Sequence, residues 1–489
     1  MLDPRIVAVA RSENVAYPAQ APFHPSHSYP EYTFGALTPE ANPVYDSVRA
    51  CFHLMGLDAA NFGTAAWNPL GELIYPGETV LLKPNLVKES HPRDPAGWRY
   101  TLTHGSVVRA AADYIWRALG DRGKVILADA PQTDSSWEEI IHILGLDTLR
   151  DFYCERGLDF ELVDLRQEAW ENRDGVIVAR RSLPGDPRGY VDFDLAGQSE
   201  FVGHKGAGHY YGADYDAAEV NHHHSEGRHE YRIAGSAIKC DVVFSLPKLK
   251  THKKAGITVS LKNLVGVNGD KNWLPHHTEG SPAQGGDEHP NPGVAHRFER
   301  EVAARLRRLA LAAPGVGPRL LRRARQVGTH VFGDTEDVVR SGNWWGNDTT
   351  WRMCLDLNKV ILYGNPDGTL REGGHLHQKR HLVLVDGIVA GEGRGPTNPD
   401  PVSTGIVAFG LHPASTDAAC ACLVGFDPGR IPIVRQAFCC EELPLTDWRW
   451  QDVIVISNCA EWNHHLPGIA PADTFHLHPH FGWIGQIER

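Results

Sequence analysis

The densest group of chemically capable side chains in the sequence is a lysine-rich segment. It reads SLPKLKTHKKAGITVSLKNLVGVNGDKNWLPHH over residues 245–277 and carries six lysines against one acid, Asp270. The whole chain is acidic, with 60 Asp and Glu against 48 Lys and Arg and a net charge of −12. A local reversal of charge in an acidic protein indicates a site for an anion or for a carboxylate-rich neighbour. The alternative is a solvated basic surface, which is the usual role of a run of charges.

The lysine-rich segment begins inside a predicted buried strand over residues 240–249. Pro247 should end that strand, because proline cannot donate a ladder hydrogen bond. Lys248, Lys250 and His252 would then emerge at its carboxyl end, where open α/β sheets bind ligands. We therefore predict that the two lysines bind substrate and that His252 is a catalytic residue that transfers a proton.

A later part of the same segment, residues 259–265, could form a helical turn. This turn would present Lys262 and Asn263 to the same crevice, so we predict Lys262 as a catalytic residue and Asn263 as a substrate-binding residue. The segment contains neither G-x-x-x-x-G-K-[ST] nor G-x-G-x-x-G. A P-loop or a Rossmann phosphate site is therefore not supported.

The sequence KPNLV, residues 83–87, ends another predicted strand. Lys83 and Asn85 lie two residues apart and could supply a point charge and an amide to an oxyanion. We predict both as substrate-binding residues. The alternative is a lysine that ends a strand and an asparagine that forms a turn.

A glycine-rich loop follows a third predicted strand and reads DGIVAGEGRGPTNPDP over residues 386–401. Asp386 lies at the strand end and is predicted to transfer a proton, as a catalytic residue beside or instead of His252. Gly393 and Gly395 would let backbone amides approach a substrate closely. The alternative for the acid is a capping role, which is common for lone carboxylates at such places.

A polar, histidine-rich stretch, residues 185–228, interrupts the pattern of strands and helices. Its side chains could hold one divalent metal, which would be zinc, manganese or iron, because imidazole and carboxylate ligands suit all three. The predicted metal ligands are His222, His224, His229 and Asp216. The alternative is a polar loop whose histidines make hydrogen bonds.

Alternating strands and helices must position these residues. The predicted strands cover residues 79–87, 124–131, 160–165, 240–249, 381–389, 405–410 and 452–458. The predicted helices cover about residues 104–119, 137–144 and 415–424. Strands joined by helical crossovers pair in parallel. We therefore predict an α/β fold with a mostly parallel sheet, helices on both faces, and two α/β halves around a cleft that long polar insertions cover.

The same pattern predicts four regions along the chain. They are an N-terminal extension (1–78), a first α/β half with the histidine- and lysine-rich insertion (79–290), an Arg-rich helical insertion (291–350) and a second α/β half (351–489). Within the third region, residues 297–325 are predicted to form an exposed helical pair. An amphipathic element at a membrane surface is the alternative.

Composition restricts the classes of partner. The net negative charge argues against general binding of nucleic acid or of anionic membranes. Nine scattered cysteines include no C-x-x-C pair, and their odd number fits a reducing cytoplasm. No apolar stretch approaches membrane-spanning length. We expect a cytoplasmic protein whose partner is a small anionic substrate, and the sequence does not predict an oligomeric state.

Seven blocks of sequence resemble, in order, the domain-of-unknown-function family 362. They are KPNLV (83–87), THG (103–105), DAP (129–131), SLPKLKTH (245–252), VSLKNLVG (259–266), VDGIVAGEGRGPT (385–397) and HPASTDAACACLVG (412–425). Many relatives are described as iron–sulfur proteins because they carry a cluster module with the run C-x₂-C-x₂-C-x₃-C-P. This chain has no such run and has Gly105 where the family usually has the proline of THP. We therefore expect no iron–sulfur cluster.

Together these residues predict an enzyme that acts on a small phosphorylated or carboxylated metabolite, with or without help from a metal. An isomerisation, a group transfer and a hydrolysis would each use such a cleft, so the reaction class stays open. The alternative is a redox or iron–sulfur-associated binding or scaffold protein that has lost its cluster module. Its candidate cluster ligands are Cys420, Cys422, Cys439 and Cys440, of which we expect the first two to be ordinary buried thiols.

Overall fold

The computed structural model describes residues 2–173, 176–212, 216–291, 338–371 and 379–489. The predicted Arg-rich helical pair at residues 297–325 lies outside these ranges. The strands are β1 (Ile6–Arg11), β2 (Thr79–Pro84), β3 (Lys124–Asp129), β4 (Phe160–Asp164), β5 (Glu168–Arg173), β6 (Val176–Ser182), β7 (Tyr190–Asp194), β8 (Tyr210–Tyr211), β9 (Glu230–Ala234), β10 (Val242–Leu246), β11 (Lys248–His252), β12 (Gly256–Thr258), β13 (His277–Thr278), β14 (Arg380–Glu392), β15 (Asp400–Gly410) and β16 (Ile454–Ser457).

Helices connect these strands and cover the sheet. They are α1 (Pro43–Leu54), α2 (Trp98–Thr101), α3 (Gly105–Leu119), α4 (Trp137–Ile143), α5 (Leu146–Cys154), α6 (Ala217–His223), α7 (Gly235–Lys239), α8 (Ser260–Asn263), α9 (Thr350–Tyr363), α10 (Pro413–Leu423) and α11 (Pro432–Ala437).

One large sheet runs through the molecule. Its strand order is β16-β1-β15-β14-β10-β2-β3-β4, and β11 and β12 extend it beside β14. Neighbours on the main path pair in parallel except at β15, which runs antiparallel to β14 and to β1. The predicted mostly parallel α/β fold is confirmed. Strands from both predicted halves and from the N-terminal extension lie in this single sheet.

Alternate side chains of each strand enter two different cores, one on each face of the sheet. In β1, Val7 and Val9 enter one core, whereas Ala8 and Ala10 enter the other. Helices α9, α10 and α11 cover the first face, and α1, α3, α4 and α5 cover the second. A parallel sheet needs this cover, because both of its faces are apolar.

Pro247 interrupts the predicted strand over residues 240–249, as expected for a residue without an N–H group. β10 ends at Leu246, and β11 begins at Lys248 and continues beside β14. The predicted helical turn at 259–265 is present as α8. As a result, the carboxyl ends of β2, β3 and β10 lie at the same edge of the sheet, and β11 continues the chain beside β14 at that edge.

Candidate functional site

The carboxyl ends of β2 and β3 carry a buried ion pair. The Lys83 ammonium lies 2.8 Å from Asp129 Oδ1, and both side chains are buried. Asp129 Oδ2 accepts a hydrogen bond from Leu86 N at 2.7 Å. A Cβ atom added at Gly266 would lie 1.9 Å from Asp129 Oδ1. The backbone that follows α8 therefore closes directly over this pair.

Two asparagines join the ion pair to β11. Asn263 Oδ1 accepts hydrogen bonds from Lys83 Nζ at 3.3 Å and from Asn85 Nδ2 at 3.2 Å. Asn85 Oδ1 in turn accepts from Lys250 Nζ at 2.8 Å. Lys250 also donates to the carbonyl oxygen of Thr101. The structure thus brings four of the predicted substrate-binding residues into one hydrogen-bonded group.

Lys262 lies next to Asn263 on α8 and differs from the lysines around it. Its side chain is partly exposed, and it makes no hydrogen bond or ion pair with any residue that the structure describes. Removal from water lowers the pKa of its ammonium group. Burial is also the largest cause of the lowered pKa of Lys83 and Lys250, and the charge of Lys262 adds to it. We call Lys83, Asn85, Lys250, Lys262 and Asn263 the lysine cluster.

Helix α8 is held in place by Asp417 of α10. The two carboxylate oxygens of Asp417 accept hydrogen bonds from Ser260 N at 2.8 Å and from Leu261 N at 3.1 Å. N–H groups in the first turn of a helix have no partner inside the helix. Asp417 therefore supplies that partner and fixes where α8 presents Lys262.

His252 is held as a neutral imidazole with one defined tautomer. Its Nδ1 accepts hydrogen bonds from Lys254 N at 3.0 Å and from Ala255 N at 3.1 Å, which places the ring proton on Nε2. Burial, followed by the charge of Lys262, lowers its pKa well below the usual range. Nε2 makes no hydrogen bond within the described residues. His252 therefore presents an unused N–H donor beside the lysine cluster.

Lys271 belongs to this region but was not among the predicted site residues. It begins a 3-10 turn, Lys271–Trp273, and its Nζ donates to Val265 O at 2.7 Å. Burial lowers its pKa to about 7, against the opposing effect of Asp129. The signal that could have found it was its place in the lysine-rich segment.

A second buried group lies beside the lysine cluster and is built around Asp386. Lys248 Nζ lies 3.1 Å from Asp386 Oδ2 and donates to the Tyr17 hydroxyl at 2.6 Å. Tyr17 donates to Asp386 Oδ1 at 2.6 Å, and His104 N donates to Asp386 Oδ2 at 2.9 Å. We call Tyr17, His104, Lys248 and Asp386 the tyrosine network. Both carboxylate oxygens of Asp386 already interact with Tyr17, His104 or Lys248. The predicted proton transfer by Asp386 stays a prediction.

Sequence reasoning missed two members of the tyrosine network, Tyr17 and His104. Their rings stack with centroids 4.1 Å apart and an interplanar angle of 11°. His104 lies in the THG block, which could have pointed to it. Tyr17 lies in the N-terminal extension, and nothing in the local sequence signals its position beside Asp386.

The predicted glycine residues pack against β11. A Cβ atom at Gly395 would lie 1.9 Å from Thr251 O, and Gly393 has a φ of +70° that favours glycine. Gly393 N donates to His478 O at 2.8 Å, and Gly395 N donates to Gly393 O at 2.9 Å. Both amides are bonded to carbonyls of the chain itself, so their contact with a substrate stays a prediction.

Part of the chain matches the sequence model of a known protein family. Residues 193–422 match the model of a family described as Domain of unknown function (DUF362). This part of the chain is therefore identified as a DUF362 domain. The predicted resemblance is confirmed over these residues, and the match includes β11, β12, α8, Asp386 and Asp417.

Individual relatives of this DUF362 protein are distant. A curated protein of Synechocystis sp., described as thylakoid-associated, is 23% identical over 363 residues, which are 74% of this chain and 68% of the relative. A crystal structure of a protein from Thermotoga maritima aligns with 77% of this chain at 11% identity and a TM-score of 0.30. The chain spans 58% of the length of that solved protein.

The structure brings together two of the four predicted metal ligands of the DUF362 protein. The Nδ1 atoms of His224 and His229 lie 3.4 Å apart. His222 is exposed on α6, and Asp216 caps the start of the same helix by accepting from Ala218 N. In the ranges that the structure describes, no group of three or more His, Cys, Asp or Glu is arranged to hold a metal ion. Metal binding stays a prediction.

The nine cysteines of the DUF362 protein are free thiols. Cys420 and Cys422 are fully buried in α10, as predicted. Burial raises the pKa of Cys422 to about 11, and its sulfur accepts a hydrogen bond from Arg489 at 2.7 Å. Among the described helices, none is both long enough and apolar enough to span a bilayer.

Proposed function

We propose that this DUF362 protein is an enzyme that acts on a small anionic metabolite, phosphorylated or carboxylated, and that the lysine cluster binds the anionic group. The observation that carries the proposal is Lys262. Its ammonium group has no partner among the described residues, and it lies in a cluster whose other lysines have pKa values lowered by burial.

Positive charge exceeds negative charge among the side chains of the lysine cluster, the tyrosine network and Asp129. Two lysines face carboxylates, in the pairs Lys83–Asp129 and Lys248–Asp386. Lys250, by contrast, bonds to two neutral oxygens, and Lys262 bonds to nothing that the structure describes. A buried charge without a counter-charge, such as that of Lys250, costs several kcal/mol. A bound phosphate or carboxylate would remove this cost.

His252 favours an enzyme over a protein that only binds the anion. A neutral imidazole with an unused Nε2–H can donate a hydrogen bond to a substrate oxygen on which negative charge develops. Burial lowers the pKa of the neighbouring Lys250 and Lys262 ammonium groups, which makes each of them more ready to give up a proton than an exposed lysine. Isomerisation, group transfer and hydrolysis each use such groups, and the proposal does not choose among them.

A divalent metal, zinc, manganese or iron, is a secondary part of the proposal. Two imidazole nitrogens 3.4 Å apart fit one tetrahedral ion with metal–nitrogen bonds of about 2.0–2.1 Å. Plasma mass spectrometry on untagged protein should show less metal after His222→Ala and His224→Ala together. Metal that survives this change and disappears with Cys420 and Cys422 would contradict the assignment.

A cytoplasmic location is also proposed, on the basis of the scattered cysteines and the net negative charge. Fractionation of cells that express the chain tests it. Recovery of the protein with the membranes would contradict it, and would agree instead with the description of the Synechocystis relative as thylakoid-associated.

Replacement of Lys262 tests the main proposal. Inorganic phosphate or succinate, added at constant ionic strength, should raise the melting temperature of the wild-type protein and should not raise that of Lys262→Met. The matched control is Lys239→Met, which removes an exposed lysine at the end of α7. Equal stabilisation of the wild type and Lys262→Met would remove the anion site from the proposal.

A further inference from the structure

The β11–β12 hairpin turns three polar side chains to one face. Lys250 pairs directly with Thr258, and His252 pairs with Gly256. Residues directly opposite in an antiparallel pair share a face, as do residues two apart on one strand. Lys250, His252 and Thr258 therefore point to the same side of the hairpin, and Lys262 follows four residues after Thr258.

The Thr258 hydroxyl is an unsatisfied group on this face. The residue is 2% exposed, and its Oγ1 has no hydrogen-bond partner among the described residues. Buried hydroxyl groups nearly always have a partner, because leaving one unpaired costs free energy. This observation is independent of the lysine charges and points to a bound group at the same place.

We propose that the anionic group bound by the lysine cluster is a phosphoryl dianion and that the Thr258 hydroxyl is one of its ligands. The inference rests on the function proposed above and narrows its substrate class from any small anion to a phosphorylated compound. Thr258 thereby becomes a specificity-determining residue, which the sequence reasoning did not single out.

Charge and donor number support a phosphoryl group over a carboxylate. Lys250 and Lys262 have no carboxylate partner among the described residues, and a phosphoryl group carries up to two negative charges on one centre. Their ammonium groups, His252 Nε2 and the Thr258 hydroxyl together offer more donors than the two oxygens of a carboxylate can use. The three oxygens of a phosphoryl group match this set better.

Isothermal titration calorimetry of the full chain tests the inference. The probes are inorganic phosphate and succinate at about pH 8, where both are mostly dianionic. Phosphate should bind the wild type at least about tenfold more tightly than succinate, because succinate divides its charge between two separate carboxylates. Thr258→Val should weaken phosphate binding by about tenfold, the effect of one hydrogen bond to a charged group.

Three further variants make the result specific to the hydroxyl. Thr258→Ser keeps the hydroxyl and should keep phosphate binding, and Thr258→Ala is a second variant without it if the valine protein does not fold. Thr446→Val is the matched control, because the Thr446 hydroxyl donates to Trp448 O at 3.1 Å, on a different part of the chain. Thr446→Val should lower the melting temperature and leave phosphate binding unchanged. Thr258→Val should not lower the melting temperature.

The outcomes distinguish a failure of this inference from a failure of the proposed function on which it rests. Unchanged phosphate binding in Thr258→Val or Thr258→Ala overturns the role of Thr258, and succinate binding as tight as phosphate binding overturns the phosphoryl class. In both cases, loss of binding in Lys262→Met would still support the proposed anion site. A wild-type protein that binds neither probe overturns the proposed function together with the inference.

Discussion

Lys248 and Lys250 lie two residues apart on β11, and both are buried, yet they belong to groups of opposite character. Lys248 faces the carboxylate of Asp386 and the hydroxyl of Tyr17, so its charge is compensated within the chain. Lys250 meets neutral oxygens and lies close to Lys262, which has no partner in the described part of the chain. The comparison separates a lysine whose charge is compensated within the chain from lysines whose charge is not compensated by a carboxylate among the described residues.

The largest expected effect comes from breaking the tyrosine network. Asp386→Ala should lower the free energy of unfolding by about 3–5 kcal/mol, because it leaves Lys248 buried without a counter-charge. Denaturation by urea measures the change. Asp400→Ala is the control, since Asp400 is exposed and pairs with Arg93 at the surface, and it should cost less than about 1 kcal/mol. If Asp386→Ala lowered the free energy of unfolding by as little as Asp400→Ala does, the pairing of Lys248 with Asp386 would not stabilise the fold, and the proposed difference between Lys248 and Lys250 would be wrong.

A smaller effect in the same direction is expected when the tyrosine hydroxyl is removed. Tyr17→Phe loses the hydrogen bonds to Asp386 and Lys248 but keeps the ring that stacks on His104. Unfolding should become easier by about 1–3 kcal/mol, as measured by urea denaturation. Tyr75→Phe, which removes a hydroxyl from an exposed ring, should change stability by less than about 0.5 kcal/mol. Equal changes in the free energy of unfolding for Tyr17→Phe and Tyr75→Phe would show that the Tyr17 hydroxyl does not stabilise the fold.

Replacement of Lys262 in the lysine cluster should change the free energy of unfolding in the opposite direction. Lys262→Met removes a charge without a partner, so the ligand-free protein should keep its stability or gain about 1 kcal/mol. The same urea denaturation, with Lys239→Met as the matched control, measures it. A loss of more than about 2 kcal/mol would show that Lys262 stabilises the fold in the way that Lys248 does.

The smallest expected change in the free energy of unfolding at neutral pH comes from replacing Lys271. Its pKa falls from 10.5 to about 7 in the folded protein. Between these values the unfolded chain binds the proton that the folded chain has lost, so this group makes the free energy of unfolding rise with pH from about 7 to about 10. In Lys271→Met, the free energy of unfolding should therefore rise less steeply between pH 7 and pH 9 than in the wild type. Denaturation at pH 7 and at pH 9 measures it, and identical slopes in the two proteins would contradict the assignment.

Much of the site could be predicted because it follows from one rule about sheets. Lys83, Asn85 and Lys250 come at the carboxyl ends of predicted strands, and such ends share one edge in a parallel sheet. The hydrogen bond between Lys250 and Asn85, and the bonds of Lys83 and Asn85 to Asn263, are a consequence of that edge. The mostly parallel sheet itself followed from strands and helices that alternate along the chain.

The remaining site residues depend on tertiary packing that no local pattern contains. Tyr17 reaches Asp386 from 369 positions earlier in the chain. Asp417 resembles an ordinary acid near a helix start, and its bonds to Ser260 and Leu261 need α8 and α10 to meet. Thr258 becomes notable only when its hydroxyl is seen to be buried without a partner. In the first two cases the decisive contact is long-range, and in the third the decisive feature is burial by tertiary packing. The local sequence encodes neither.

The position of β1 in the sheet has a consequence for biosynthesis. β1 pairs with β15 and β16, so both of its edges remain unpaired until strands that begin about 400 residues later have been made. At about 5–20 residues per second, the ribosome needs about 20–80 s to reach β15. During this time β1 is an apolar strand with unpaired backbone on both sides, which is a typical substrate for chaperones and a template for aggregation. The yield of folded protein in a cell should therefore depend on chaperone capacity during translation.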